Sequence, residues 1–341
     1  MDARAEEKEI GGRVSTTGLV LGKFLPPHAG HLHLLDAARS QVDRLTVVVG
    51  SLAREPIPGS LRFEWMRELC PLDDVFHLAE ELPQEPHEHP RFWELWTAAL
   101  RRFIPTGPDV VFTSESYGDE LARRLGARHV CLDPGRTAVP VSGTAIRKDP
   151  MTNWEFLPAC VRPHFVKRVV LYGPESAGKT TLARQLAEEF RTEWVPEYAR
   201  GFIDRKGAFV EPADIGHVVA GQIASENAAA RRANRILFCD SDVNTTVIYF
   251  THYFGSVPAW VAHLSRRRTA DLILFCEPDI PFEADSQRDQ GHRRAWFREW
   301  FRARLDEQGR AWRSVTGLGK ERVVRAARAV REALLTRLLL P

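Results

Sequence analysis

The sequence predicts an α/β protein of two successive domains, each built on a parallel sheet. Three observations carry this. The chain has 341 residues, more than one hydrophobic core usually serves. Short, unbroken apolar runs recur along it, as strands buried on both faces require. Between them lie stretches with apolar residues at helical spacing, and that alternation marks βαβ units.

The bulk properties narrow the function classes. Apolar residues make up 44%, charged residues 27%, and the formal net charge is +2, as in ordinary globular proteins. Nothing in this balance demands a nucleic acid. No apolar run approaches the ~20 residues that cross a bilayer, so no membrane insertion is expected. The opening MDARAEEKEI is too polar and acidic for a signal peptide. Cys70, Cys131, Cys160, Cys239 and Cys276 are scattered and odd in number. They fit free thiols in a reducing cytoplasm better than a disulfide framework.

Residues 1–16 read as a flexible tail. Residues 18–22 (GLVLG) form a first buried strand, 30–40 a helix and 45–50 (LTVVVG) a second strand. Helices are expected over 61–69 and 92–103, a strand over 109–113 (DVVFT), a helix over 120–125 and a short strand over 130–132. This domain spans 17–150. Residues 151–167, with Pro158 and Pro163, read as a linker. The second domain, 168–341, repeats the alternation: strand 168–172, helix 181–190, strand 193–195, helix 215–232, strands 235–239 (RILFC) and 272–276 (LILFC), and a final helix over 322–339.

Three motifs carry chemistry. Residues 173–180 read GPESAGKT between a strand and a helix. This is the glycine-bounded loop that wraps phosphates with backbone N–H groups at a helix start. Gly173, Glu175, Ser176, Ala177, Gly178, Lys179, Thr180 and Thr181 are its nucleotide-binding candidates. Lys179 would reach the β- and γ-phosphates and Thr180 would hold Mg²⁺.

Residues 22–31 read GKFLPPHAGH directly after the first strand. His28 and His31 share a helix face, and with Gly22, Lys23 and Phe24 they make a second phosphate cradle that can stabilise charge on an α-phosphate and its leaving pyrophosphate. Two readings compete: ordinary helix-start histidines, and zinc on His28, His31 and His33, although no cysteine or carboxylate stands at ligand spacing. Residues 142–147 read SGTAIR, a capping sequence by itself. In the same domain, Ser142, Thr144 and Arg147 become a further anion clamp.

Downstream of GPESAGKT, Glu197 in EWVPEYAR and the pair Asp240 and Asp242 in ILFCDSDVNTT supply carboxylates at strand ends. One would serve the metal and another would bind or deprotonate the acceptor. Residue type alone leaves open which does which; the expected ligands of Mg²⁺ are Thr180 and Asp242. Residues 277–294 read as a loop or short mobile helix, with Arg288, Arg293 and Arg294 as a phosphate-closing lid.

GxFxPxHxGH with SGTxIR resembles the nucleotidylyltransferase superfamily. With REPIPGSLR (54–62), HEHPRFWELW (87–96), GPESAGKT, PEYAR, DSDVNTT and QRDQGHRR, the chain resembles the NadR-type bifunctional proteins over about residues 17–330. The resemblance implies a Rossmann-like nucleotidylyltransferase domain followed by a P-loop kinase domain. It implies nicotinamide mononucleotide adenylyltransferase and nicotinamide riboside kinase activities, with ATP as co-substrate in both sites and Mg²⁺ as cofactor. It assigns the ATP phosphates to His28, His31, Ser142, Thr144 and Arg147, and places Lys23 and Arg54 near the phosphates and the mononucleotide. Trp93 or Trp96 would stack on the pyridine ring or serve as helix core, and Tyr198, Trp194 and Tyr249 are the aromatic candidates in the kinase half. A riboside transporter and self-association are partners the family allows. DNA binding is not expected, because sixteen residues leave no room for a helix-turn-helix domain. Rival readings are a nucleotide-sensing regulator with one silent half, and a pair acting on another riboside.

Overall fold

A computed structural model describes residues 15–115, 117–268, 270–283 and 293–334. The chain divides into two compact units between Val161 and Arg162. The expected tail falls almost wholly outside the described residues, as do Arg288 and residues 335–341 at the end of the last expected helix.

The first unit runs β1 (Thr17–Gly22), α1 (Ala29–Arg39), β2 (Arg44–Gly50), α2 (Gly59–Leu69), β3 (Asp74–Leu78), α3 (Phe92–Arg101), β4 (Val110–Thr113), α4 (Gly118–Leu125), β5 (Arg128–Cys131) and α5 (Gly143–Lys148). Its strands are all parallel, in the order β3-β2-β1-β4-β5. Successive side chains of a strand point to opposite faces. Val20, Val47, Val49 and Phe112 therefore pack into one core with α1 and α2, while Leu19, Val48 and Val111 pack into another with α3 and α4. Each such side chain contributes roughly 1.5–3 kcal/mol on burial. The chain crosses β1 on its way from β3 to β4. The crevice beyond the carboxyl ends of β1 and β4 is thus the switch point where open α/β sheets bind ligands.

The residues expected to be a linker are packed structure. Trp154, Leu157, Cys160 and Val161 are buried, with a 3₁₀ turn at Trp154–Phe156 and helix α6 at Arg162–Phe165. Pro163 sits in the first turn of α6, where its missing N–H costs nothing.

The second unit continues with β6 (Lys167–Tyr172), α7 (Lys179–Phe190), β7 (Trp194–Val195), α8 (Tyr198–Lys206), α9 (Ile215–Ala230), β8 (Ile236–Asp240), α10 (Val243–Phe254), α11 (Ala259–Arg267), β9 (Leu272–Cys276), α12 (Arg294–Glu307), β10 (Trp312–Val315) and α13 (Gly319–Leu334). Its parallel order is β10-β9-β6-β8-β7. Here the chain crosses β6 between β8 and β9, which places the loops after β6 and β8 side by side. Val169, Leu171, Phe238 and Leu274 are fully buried against α7 and α13. All five cysteines are free, and only Cys131 is exposed. No helix among the described residues is long and apolar enough to cross a membrane.

Candidate active sites

In the first unit a cavity of about 880 Å³ opens at the carboxyl ends of β1 and β4. Gly22, Lys23, Phe24, His28, His31, Trp93, Ser142, Thr144 and Arg147 all line it. The His28–His31 motif sits there for local reasons. His28 caps α1 in an extended conformation, and its Nδ1 accepts the Gly30 N–H at 3.1 Å. A Cβ on Gly30 would lie 3.0 Å from the His28 ring, so glycine is what lets the imidazole fold over the helix start. Because Nδ1 accepts, the proton of neutral His28 must sit on Nε2. The His31 ring lies against it, centroids 3.8 Å apart, and the Phe24 ring lies 4.9 Å from His31.

Burial, with the positive charge of Arg136 second, pushes His28 down to about 4. Burial, then His28, then Arg136 hold His31 well below the usual imidazole range. Near pH 7 both rings are neutral hydrogen-bond donors rather than cations. The depressed pKa destabilises the fold as pH drops, since the unfolded chain binds a proton near 6.5 that the folded chain refuses until about 4. His28 should thus remove about 2 kcal/mol of stability between pH 7 and 4.5. Denaturant titrations of His28→Asn, which can still cap the helix, should show a correspondingly smaller loss. An unchanged loss would contradict the burial of this ring.

SGTAIR forms α5. Ser142 Oγ accepts the Ala145 N–H at 3.1 Å, and Arg147 donates to the Leu25 carbonyl at 2.5 Å and to Thr144 Oγ1 at 3.2 Å. Arg147 thereby ties this segment to the loop that carries the histidines. Trp93 and Trp96 line the cavity while packing against its core, so wall and core are one role.

Arg54 departs from expectation. It does not line the cavity; its exposed guanidinium pairs with Glu81 at 3.4 Å. The arginine that matters locally is Arg62, which is fully buried. It donates to the carbonyls of Lys23, Ile57 (3.1 Å) and Gly50 (3.4 Å) and pairs with Glu55, which in turn holds Lys23 Nζ at 3.2 Å. Arg136 was also missed. Asp133 organises its loop by accepting the N–H groups of Thr137 (2.7 Å) and Ala138 (3.1 Å), and Arg136 lines the cavity close enough to both histidines to depress them.

In the second unit GPESAGKT joins β6 to α7 and opens on a cavity of about 400 Å³. Gly173 has φ +138°, and a Cβ there would come 2.6 Å from the Cys276 carbonyl oxygen, so the turn admits only glycine. Glu175, Ser176, Ala177, Gly178, Lys179, Thr180 and Thr181 line the cavity. Lys179 is buried, donating to the carbonyls of Gly173 (3.0 Å) and Pro174 (2.9 Å). Buried Arg322 of α13 braces the same loop from behind, reaching the Ala177 carbonyl at 2.9 Å and that of Glu277 at 3.0 Å.

Thr180 Oγ1 donates to Asp240, where the start of α7 meets the end of β8. Asp242, the expected metal ligand, has both carboxylate oxygens engaged at the start of its own helix. Its Oδ1 caps α10 by accepting the Thr245 N–H at 3.0 Å, its Oδ2 accepts Asn244 Nδ2 at 2.8 Å, and Arg310 stands 3.7 Å away. The three-residue spacing from Asp242 to Thr245 is a helix cap.

Glu197 lines the cavity at the start of α8, with Arg200 at 3.9 Å. Burial and the nearby Asp240 raise its pKa, opposed by Lys179 and Arg200. Tyr198 turns away from the cavity. Its ring covers Gly221 of α9, where a Cβ would fall 2.1 Å from it, and Arg205 lies over its other face at 5.4 Å. Trp194 packs into the sheet core. Tyr249, Tyr253 and Phe209 wall the acceptor side instead. Burial, Glu175 and Glu197 keep the Tyr249 phenol protonated.

Of the arginines expected to form a lid, Arg288 lies outside the described residues and neither of the others lines the cavity: Arg294 donates to the carbonyls of Ser176 (3.1 Å) and Ile280 (3.1 Å), and Arg293 lies over the face of Trp296 at 4.4 Å.

Comparison with known proteins agrees with the two successive α/β domains. A cytidylyltransferase-like family model matches residues 19–149, and an AAA domain model matches residues 168–322. The trifunctional NAD biosynthesis/regulator protein NadR of Escherichia coli is 31% identical over 298 residues, covering 81% of this chain and 72% of that protein. The crystal structure of a NadR protein in complex with NR aligns with TM-score 0.78 at 24% identity, over 94% of this chain and 96% of that one. A NadR protein in complex with NAD and AMP-PNP aligns with TM-score 0.76 at 25% identity, with the same coverage. Motifs, fold and extended identity together place the chain in the NadR family.

Proposed function

We propose that the chain makes NAD in two ATP-dependent steps: it phosphorylates nicotinamide riboside to the mononucleotide, and it transfers an adenylyl group from ATP to that mononucleotide. The observation that carries this is that each phosphate-binding motif opens on its own cavity at the carboxyl edge of its own sheet. The product of the second unit's reaction is the acceptor for the first.

In the kinase unit the riboside 5′-hydroxyl gives its proton to Glu197 and attacks the γ-phosphorus, and ADP leaves. The raised pKa of Glu197 suits a proton acceptor. Glu175, Glu197, Tyr249, Tyr253 and Phe209 make an acidic, aromatic wall, which favours a cationic pyridinium ring. Among the described residues no three His, Cys, Asp or Glu side chains converge on a metal site. Mg²⁺ would therefore be held by Thr180, Asp240 and the nucleotide's own phosphates, a hard-oxygen set that suits it. Bound there, it would neutralise charge on the β- and γ-phosphates.

In the adenylyltransferase unit a phosphate oxygen of the mononucleotide attacks the α-phosphorus of ATP, and pyrophosphate leaves. No protein nucleophile is required. His28 and His31 would donate hydrogen bonds to the phosphate oxygens, and Lys23, Arg136 and Arg147 would offset the charge of the leaving pyrophosphate. Placing the histidines as buried neutral donors makes each bond count for more than in water.

Incubation with ATP, Mg²⁺ and nicotinamide riboside should yield mononucleotide and ADP, then NAD and pyrophosphate. Absence of both nicotinamide products from folded protein would refute the reading, and mononucleotide without NAD would leave the first unit a binding module.

A further inference from the structure

Buried and half-buried polar groups form a ring of contacts around Gln222, which belongs to no sequence motif. Gln222, on α9 and 3% exposed, stands at its centre. Its Oε1 accepts the Tyr198 N–H at 3.0 Å, at the first residue of α8 and directly after Glu197. Its Nε2 donates to Glu226 Oε1 at 3.1 Å and lies 3.5 Å from the Ser241 carbonyl, directly after Asp240. Glu226 pairs with Arg268 at 2.7 Å. The Arg268 carbonyl accepts from Arg310 at 2.8 Å, and Arg310 stands 3.7 Å from Asp242, which closes the ring on Ser241.

Ser241 gives the ring its purpose. Its φ is +78°, a left-handed conformation that is strained for any residue but glycine. The Ser241 hydroxyl is buried with no partner among the described residues, so the side chain does not hold the turn. The contacts that do are its N–H on the Leu171 carbonyl at 3.3 Å and its carbonyl facing Gln222. Glu197 and Asp240 directly precede the two residues that Gln222 joins. One amide thus spans the two backbone segments that bring these carboxylates together.

We propose that Gln222 is a positioning residue of the kinase site: its amide fixes the start of α8 against the strained Ser241 turn, and so sets Glu197 and Asp240 at their working separation. It touches neither substrate. This rests on the kinase reading above, which turnover of riboside by the unsubstituted chain tests by itself before any variant is compared.

The test is steady-state riboside phosphorylation by the full chain carrying Gln222→Leu, Gln222→Glu, or Gln222→Leu with Ser241→Gly. Gln222→Leu should lower kcat at least tenfold while KM for ATP stays within twofold. Adding Ser241→Gly, which takes φ +78° without strain, should restore at least part of kcat. Gln222→Glu keeps the acceptor for Tyr198 and loses the donor to Ser241, so it should also lower kcat with KM for ATP unchanged. That variant carries the test if the leucine variant fails to fold. Wild-type kcat in either folded variant would overturn the proposal. So would a kcat loss that merely follows the fraction of unfolded protein, or no gain from Ser241→Gly.

Discussion

Lys179→Ala is expected to abolish riboside phosphorylation, with kcat falling by ~10³, the scale on which a preorganised charge at a transferring phosphate acts. Adenylyl transfer to supplied mononucleotide should stay within twofold, because the residues of that site belong to the other unit. Lys179 is also a structural tie, since its ammonium holds the carbonyls of Gly173 and Pro174. Alanine should therefore loosen the loop as well as remove the charge. The check is a pair of separate assays, one for ADP from riboside and one for NAD from mononucleotide. Loss of both activities from folded protein would mean the two reactions share a site.

The second large effect separates the two aspartates. Asp240→Asn should lower kcat for phosphorylation by ~10²–10³ and leave the fold intact, since removing a charge beside Glu197 relieves repulsion. Asp242→Ala should do the opposite. It strips the cap of α10 and leaves Arg310, itself nearly buried, without its partner carboxylate. The expected cost is about 3 kcal/mol of stability, with a much smaller change in kcat per folded molecule. Thermal unfolding beside kinase assays separates the outcomes. If Asp242→Ala were the catalytically dead and stable variant, the placement of the metal at Thr180 and Asp240 would be wrong.

These contrasts show where the sequence was legible. Loops that wrap phosphate demand fixed residues at fixed spacing, so GPESAGKT and HAGH could be read directly, and both landed at cavity walls. Central strands were legible because burial on both faces leaves only apolar residues in them. Strands β3 (DVFHL) and β10 (WRSV) are illegible because polar residues interrupt their short apolar runs, and both are partly exposed. Helix α12 hid behind its arginines, although Phe297, Phe301 and Leu305 recur every fourth residue and are buried.

Residues whose role depends on a distant partner could not be read. Asp240 and Asp242 are alike in sequence. Only the meeting of α7 with β8 gives Thr180 to one and a helix cap to the other. Tyr198 was an aromatic beside a carboxylate, as a base-stacking residue should be, yet the bare backbone of Gly221 offers its ring a closer surface. Arg54 resembled a ligand contact, but Glu81 draws it outward while Arg62, eight residues on, is the buried one. Arg136 and Gln222 carry no motif at all. Their placement comes from a turn organised by Asp133 and from the packing of α9 under two strand ends.

The central claim is that one chain carries two independent sites joined only by an intermediate. Mixing variants tests it most directly. Lys179→Ala and His31→Ala, each supplied alone with riboside, ATP and Mg²⁺, should form no NAD. An equimolar mixture of the two should form it, because mononucleotide made by the second variant is adenylylated by the first. A mixture that stays silent, while each folded variant retains its own half-reaction, would contradict free exchange of the intermediate between two complete sites.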